Sequence, residues 1–122
     1  MNLSKDLMAA SSTPLVLGIL ADGESYGYDI AKKVEQLSGG ALNWTDGMLY
    51  PLLHRLEQQG FLEARWRVAE SGRKRKYYAL TDLGKRSLRE QQQQWQLITQ
   101  TLSRIWNNTQ QPAGALRDGH FA

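Results

Sequence analysis

The stretch SGRKRKYYALT, Ser71 to Thr81, sets four consecutive cations, Arg73 to Lys76, in front of two tyrosines and a short apolar run. Upstream, Leu62, Ala64, Trp66 and Val68 alternate with Glu63, Arg65 and Arg67, the period of a strand buried on one face. Ala69 to Arg75 contains Gly72 and reads as a connection, and Lys76 to Leu80 reads as a second, aromatic-rich strand. The two strands form a hairpin with a basic tip. Tyr77 and Tyr78 alternate across the second strand, so one packs inward and the other stays at the surface.

Before the hairpin lie three helical patterns. Leu3, Leu7 and Met8 mark a short amphipathic N-terminal arm. Ser12-Thr13-Pro14 predicts a helix start, with a hydroxyl cap and proline at the first helical position, and Leu15 to Ala21 is its apolar body up to Asp22-Gly23. Ser25 is the predicted cap of a second helix carrying Ile30, Val34 and Leu37, which stops at Gly39-Gly40. Thr45 is the predicted cap of a third, with Leu49, Leu52, Leu53 and Leu56 on one face and Gly60 at its end. Pro51 removes one hydrogen bond inside it and predicts a loosened first turn.

After the hairpin, Thr81-Asp82 opens a long helix reaching about Asn107, with an apolar seam of Leu88, Trp95, Ile98, Leu102 and Ile105 interrupted by Gln91. The expected segments are therefore residues 1–81, a winged helix-turn-helix domain with its N-terminal arm; 82–109, a C-terminal dimerisation helix; and 110–122, a disordered tail with Pro112, Gly114 and Gly119 and nothing to pack. The expected fold is mainly α with a small β-hairpin: a winged helix-turn-helix plus a long C-terminal dimerisation helix.

Composition narrows the chemistry. The 122 residues contain no cysteine, which excludes disulfides and thiolate metal sites. The longest apolar run, Leu15 to Ala21, falls far short of the ~20 residues that span a bilayer, and the N-terminus lacks an export pattern, so a cytoplasmic protein with no membrane partner is expected. Two histidines and no phosphate-cradling loop leave no catalytic constellation, so neither an enzyme nor a cofactor is expected. The net charge is +3, yet Arg65 to Lys76 alone carries six cations and one anion, so the other 110 residues sum to −2. Such local concentration points to an anionic partner.

In a winged helix-turn-helix the third helix enters the major groove and the hairpin lies along the phosphates. With its leucines turned inward, the third helix presents Gly47, Pro51, His54 and Gln58 outward, with Tyr50 and Arg55 at the flanks. Gly47 permits close backbone approach, and the polar groups suit phosphates and base edges. The candidate DNA contacts are Thr45, Gly47, Tyr50, His54 and Arg55, together with Arg73, Lys74, Arg75 and Lys76. The residues leave open whether Tyr50 faces the groove or packs under the hairpin, and whether His54 reads a base or is solvated. Residues 45–59 sum to −1, so the cations of the hairpin must supply the affinity. That same charge supports a different reading, a protein–protein module whose basic hairpin meets an acidic partner. Trp95 and Trp106, about three turns apart, would line a pocket for an aromatic small-molecule effector; the alternative is that Trp95 fills a dimer core.

The segments SYGYDIAKKVEQLS, DGMLYPLLHRLEQQGFLEARW and GRKRKYYALTDLGKRSL closely resemble the PadR family of bacterial winged-helix transcriptional regulators. The resemblance implies a homodimer held by the C-terminal helix with help from the N-terminal one. It also implies double-stranded DNA with an inverted-repeat operator as the target, most often for repression, and release by phenolic or hydrophobic compounds in some relatives. It places Tyr50 on the recognition helix and Arg73 to Lys76 on the wing. Met48 departs from the threonine often found there, and a thioether donates no hydrogen bond to a phosphate.

Overall fold

A computed structural model describes residues 1–110, with side chains to 108. The first helix, α1 (Lys5–Leu20), begins earlier than predicted. Ser4 is its cap: the Leu7 N–H donates to the Ser4 hydroxyl at 3.2 Å. The arm and the first helix are thus one element, and Pro14 lies inside it. Ser12 does not cap, because its hydroxyl donates backwards to the Ala9 carbonyl at 2.9 Å, as Ser11 does to Leu7 at 2.7 Å. Upstream residues that favour helix carry the element through the proline. Val16, Leu17 and Leu20 from its second half enter the core.

Ser25 is likewise not a helix cap. With Tyr26 it forms a two-residue strand, β1, and α2 (Gly27–Leu37) follows directly with no side-chain cap. The Ser25 hydroxyl donates to the Asp29 carboxylate at 2.9 Å, and Asp29 also pairs with Lys33. Ile30 and Val34 are buried, but Leu37 is exposed. Gly39 and Gly40, both at positive φ, turn the chain toward α3. Leu42 and Trp44 anchor this turn in the core.

In α3 (Asp46–Gln58) Thr45 is the N-cap through its backbone alone: its carbonyl accepts from Met48 at 3.1 Å and Leu49 at 2.9 Å, with no side-chain hydrogen bond. Leu49, Leu52, Leu53 and Leu56 are all buried, each stabilising the fold by roughly 1.5–3 kcal/mol. Pro51 is accommodated within the helix.

The strands β2 (Leu62–Val68) and β3 (Lys74–Leu80) pair antiparallel, and β1 adds to the other edge of β3, giving a three-stranded sheet of order β1-β3-β2. The sequence predicts only the hairpin. Its connection is also tighter than expected: Ala69 N–H donates to the Arg73 carbonyl at 2.8 Å, Gly72 takes φ 84°, and β3 starts at Lys74. Trp66 and Val68 lie on the predicted face yet are 67% and 66% exposed, because the hairpin outruns the core that covers Leu62.

The last helix, α4 (Asp82–Gln110), extends one residue beyond the predicted segment end. Thr81 pins its start by donating to the Gly60 carbonyl at 2.6 Å and accepting from the Gly84 N–H at 3.0 Å. The predicted tail from 111 onward lies outside the described residues. The chain divides into two compact units, Met1–Arg89 and the part from Glu90. No described helix is long and apolar enough to cross a membrane.

Candidate nucleic-acid interface

The leucine face of α3 fixes what the opposite face offers. Gly47, Tyr50, Pro51, His54, Arg55 and Gln58 are exposed, as are Thr45 and Asp46 at the start of the helix. Met48 is half-buried against the core, so its side chain is turned away from that face.

Tyr50 is partly exposed and partly packed. It is 45% exposed, and its ring also lies directly on the chain at the start of α2. A Cβ on Gly27 would stand 2.7 Å from the Tyr50 hydroxyl and 2.8 Å from its ring, so only glycine leaves room for that packing.

The sheet sorts the cations onto two faces. Register places Lys76 opposite Trp66 and Lys74 opposite Val68, so these lysines share the face that looks along α3. Arg75 stands opposite Arg67 on the outer face. Two like charges directly across a ladder repel, and the outer face disperses them. Arg67 pairs with Glu24 and lies over the Tyr77 ring at 5.6 Å, while Arg75 lies over Tyr26 at 4.5 Å. Tyr26 and Tyr77 meet edge to face with centroids 5.3 Å apart. Tyr77 is the tyrosine nearer the surface; Tyr78 is buried on the inner face.

The six cations of the basic segment are therefore not equivalent. Arg65 bonds Glu63 at 2.9 Å, and Lys76 reaches Glu57 of α3 at 3.5 Å while lying 5.5 Å from the Tyr78 ring centroid. Burial pushes the Tyr78 hydroxyl above its usual pKa, with Lys76 pulling down and Glu57 pushing up, so this group stays a neutral phenol at neutral pH. Arg73 and Lys74 make no salt bridge among the described residues.

These elements enclose one groove of about 710 Å³ between α3, the start of α2 and the hairpin. Tyr50, His54, Arg73, Lys74, Arg75 and Lys76 all line it. Thr45 at the N-cap, and Gly47 and Arg55 on α3, are exposed but lie outside its lining. Sequence reasoning missed Tyr26, Gly27, Tyr28 and Trp66, which with Tyr78 complete the wall. The only signal for the first three was the spacing of small and aromatic residues in SYGY, which without β1 reads simply as a helix start.

The seam of α4 divides between roles. Leu88 is buried in the core of the first unit, so this residue is spent within its own chain and is not an open seam position. Further along, Trp95 and Leu102 are half-buried, while Leu97, Ile98, Ile105 and Trp106 are each more than half exposed.

A helix-turn-helix whose third helix is followed by a basic antiparallel hairpin defines a winged-helix protein. The chain belongs to the transcriptional regulator PadR-like family, whose model matches residues 16–90. It is 33% identical over 88 residues to the transcriptional regulator YqjI of Escherichia coli, covering 72% of this chain and 41% of that protein. It is 33% identical over 75 residues to the negative transcriptional regulator PadR of Bacillus subtilis, covering 62% and 41%. The chain thus spans well under half the length of these two relatives. A PadR-like regulator from Bacillus cereus superposes with a TM-score of 0.75 at 28% identity, covering 84% of this chain and 97% of that one. Members of the family are transcriptional regulators rather than enzymes, and membership implies regulation through DNA binding.

Proposed function

We propose that the protein is a homodimeric repressor of an inverted-repeat operator, with one α3 in each major groove and each hairpin along the flanking phosphates. The observation that carries this reading is the convergence of the exposed α3 face and the basic hairpin on a single groove. Gly47 lets the α3 backbone approach the DNA. Thr45 and Tyr50 donate to phosphates, and His54 and Arg55 reach base edges. Arg73 and Lys74 are the principal phosphate partners, with Arg75 and Lys76 joining from their aromatic rests.

Dimerisation follows from the apolar stripe on α4. Ile98 is 53% exposed, Ile105 52% and Trp106 55% in the single chain, and the three fall on one side of the helix. A second copy related by a two-fold axis covers such a stripe and sets two recognition helices at half-sites about 34 Å apart. Trp95 and Trp106 lie on this helix, and an aromatic effector seated there would act by linkage, favouring a separation that no longer matches the half-sites.

Fluorescence anisotropy with the duplex upstream of the protein's own gene, against a scrambled duplex at several salt concentrations, tests the reading. Tighter binding to the native duplex with a steep salt slope is expected. The double variant Ile98→Asp/Ile105→Asp is expected to sediment as a monomer and lose that preference. Equal, weak binding of the wild type to both duplexes would overturn the proposal.

The Lys76–Glu57 pair gives a second expected result. Glu57→Gln leaves Lys76 without its anion and removes a negative charge from α3. Affinity for any duplex is expected to rise severalfold, with a salt slope steeper by up to about 0.9 per protomer. An unchanged slope would mean that Lys76 does not reach phosphate.

A further inference from the structure

Trp66 is the most conspicuous side chain that the reading above leaves without a task. Tryptophan is among the most buried residues on average, yet this one is 67% exposed, with Val68 at 66% beyond it. The sheet explains the exposure. β1 pairs only with Tyr77 and Tyr78, so among the described residues the hairpin beyond that point is two-stranded and Trp66 and Val68 stay exposed. Both apolar residues share the α3 side of the hairpin with Lys74 and Lys76, their cross-strand partners. Trp66 lines the groove with Tyr50 and His54, and also a second cavity of about 560 Å³ with Arg67, Val68 and Lys74.

We propose that Trp66, extended by Val68, is an apolar wedge that the hairpin carries into the minor groove of duplex DNA beside the half-site faced by α3. This rests on the DNA reading above. Reach and charge select the occupant. At about 3.3 Å per residue, Trp66 stands ~13 Å beyond Leu62 and Val68 ~20 Å beyond it. With α3 in the major groove, that length crosses the bordering phosphate strand and arrives at the next minor groove. There the walls are anionic and the floor presents sugars and base edges, in a slot about 6 Å wide. An apolar ridge flanked by lysines complements that slot: Lys74 and Lys76 meet the phosphates while the indole and valine enter between them. Apolar side chains inserted in this way are an established means of engaging the minor groove.

The wedge has a signature that a phosphate contact lacks. Its contribution does not release counterions, so it shifts affinity without altering the salt slope. It is also sensitive to the guanine N2 amino group, which projects into the minor groove only. The test uses anisotropy titrations of the full chain on its native upstream duplex and on one whose flanking G·C pairs are replaced by inosine·C. Trp66→Ala is expected to weaken binding roughly tenfold or more, the range of one aromatic contact to nucleic acid, at every salt concentration and with an unchanged slope. Trp66→Phe, which keeps an apolar ring, is expected to retain most of the affinity. Inosine is expected to tighten binding of the wild type and not of Trp66→Ala. Wild-type affinity in Trp66→Ala, or no response of the wild type to inosine, would overturn the wedge and leave the repressor reading standing. Failure of the wild type to prefer its native duplex would overturn both.

Discussion

Replacing Gly84 with alanine is expected to lower the melting temperature by roughly 10 °C or more, although the site is helical and alanine is the better helix former. Gly84 is buried in the first turn of α4. A Cβ there would overlap the Phe61 carbonyl oxygen and stand 3.0 Å from the carbonyl carbon and 3.2 Å from Leu80 Cδ2. The nearest obstacle is backbone, so it cannot rotate away. It is also committed, because the Phe61 carbonyl accepts the Thr81 N–H at 3.1 Å while the Thr81 hydroxyl bonds Gly60 at 2.6 Å. Pushing α4 outward would break this clasp between the end of α3 and the start of α4. Overpacking of this kind costs on the order of 3 kcal/mol, against about 1 kcal/mol of helix propensity gained. Gly18→Ala is the control: it lies in α1 with nothing within 4 Å of the added Cβ, and a melting temperature at or above the wild type is expected. Calorimetry decides. Stabilisation of both variants would mean that propensity alone governs the two sites and that the clasp is slack.

What the sequence discloses about this fold follows from how far each signal reaches. The α3 leucines recur at a helical period, and Gly60 closes the pattern, so the helix and its buried face are legible. A two-residue strand has no period to detect. β1 therefore stays hidden, and with it the placement of Tyr26 and Gly27. Ser-Thr-Pro looks the same whether proline opens a helix or sits within one; the answer lies in the residues before it, which continue the helix from Ser4. Alternation along β2 assigns Trp66 and Val68 to the correct face but carries no information on depth. The core covers Leu62 and leaves those two in the open.

The candidate site is legible to the same extent. The cations and the outward residues of α3 can be named in advance because they follow from local patterns. The partners that divide the cations cannot, since Glu24 and Glu57 are distant in sequence from Arg67 and Lys76. Leu88 shows the same limit, because a heptad pattern does not distinguish a seam against a second chain from the edge of the chain's own core.

Removing Arg73, Lys74 and Arg75 together is expected to flatten the salt dependence of DNA binding by up to about 5, while leaving the fold intact. Each cation that touches a phosphate contributes roughly 0.9 to the slope, and a dimer presents three of these on each of two hairpins. Arg73 and Lys74 are exposed, and Arg75 rests over Tyr26 without a salt bridge among the described residues, so no ion pair is broken by truncation to alanine. Lys76 is left in place because it is tied to Glu57 and packed on Tyr78, and its loss would mix stability with binding. Phosphate contacts carry no sequence information. Affinity for the native and the scrambled duplex should therefore fall together, by a few orders of magnitude at low salt, while the ratio between them is largely kept. Substituting His54 or Arg55 should do the reverse, shrinking the ratio with less effect on the slope. Anisotropy titrations from low to moderate salt separate the two patterns. A triple variant with a wild-type slope would move the electrostatic footprint off the hairpin tip and onto Arg65, Arg67 and Lys76, which would first have to leave their carboxylates.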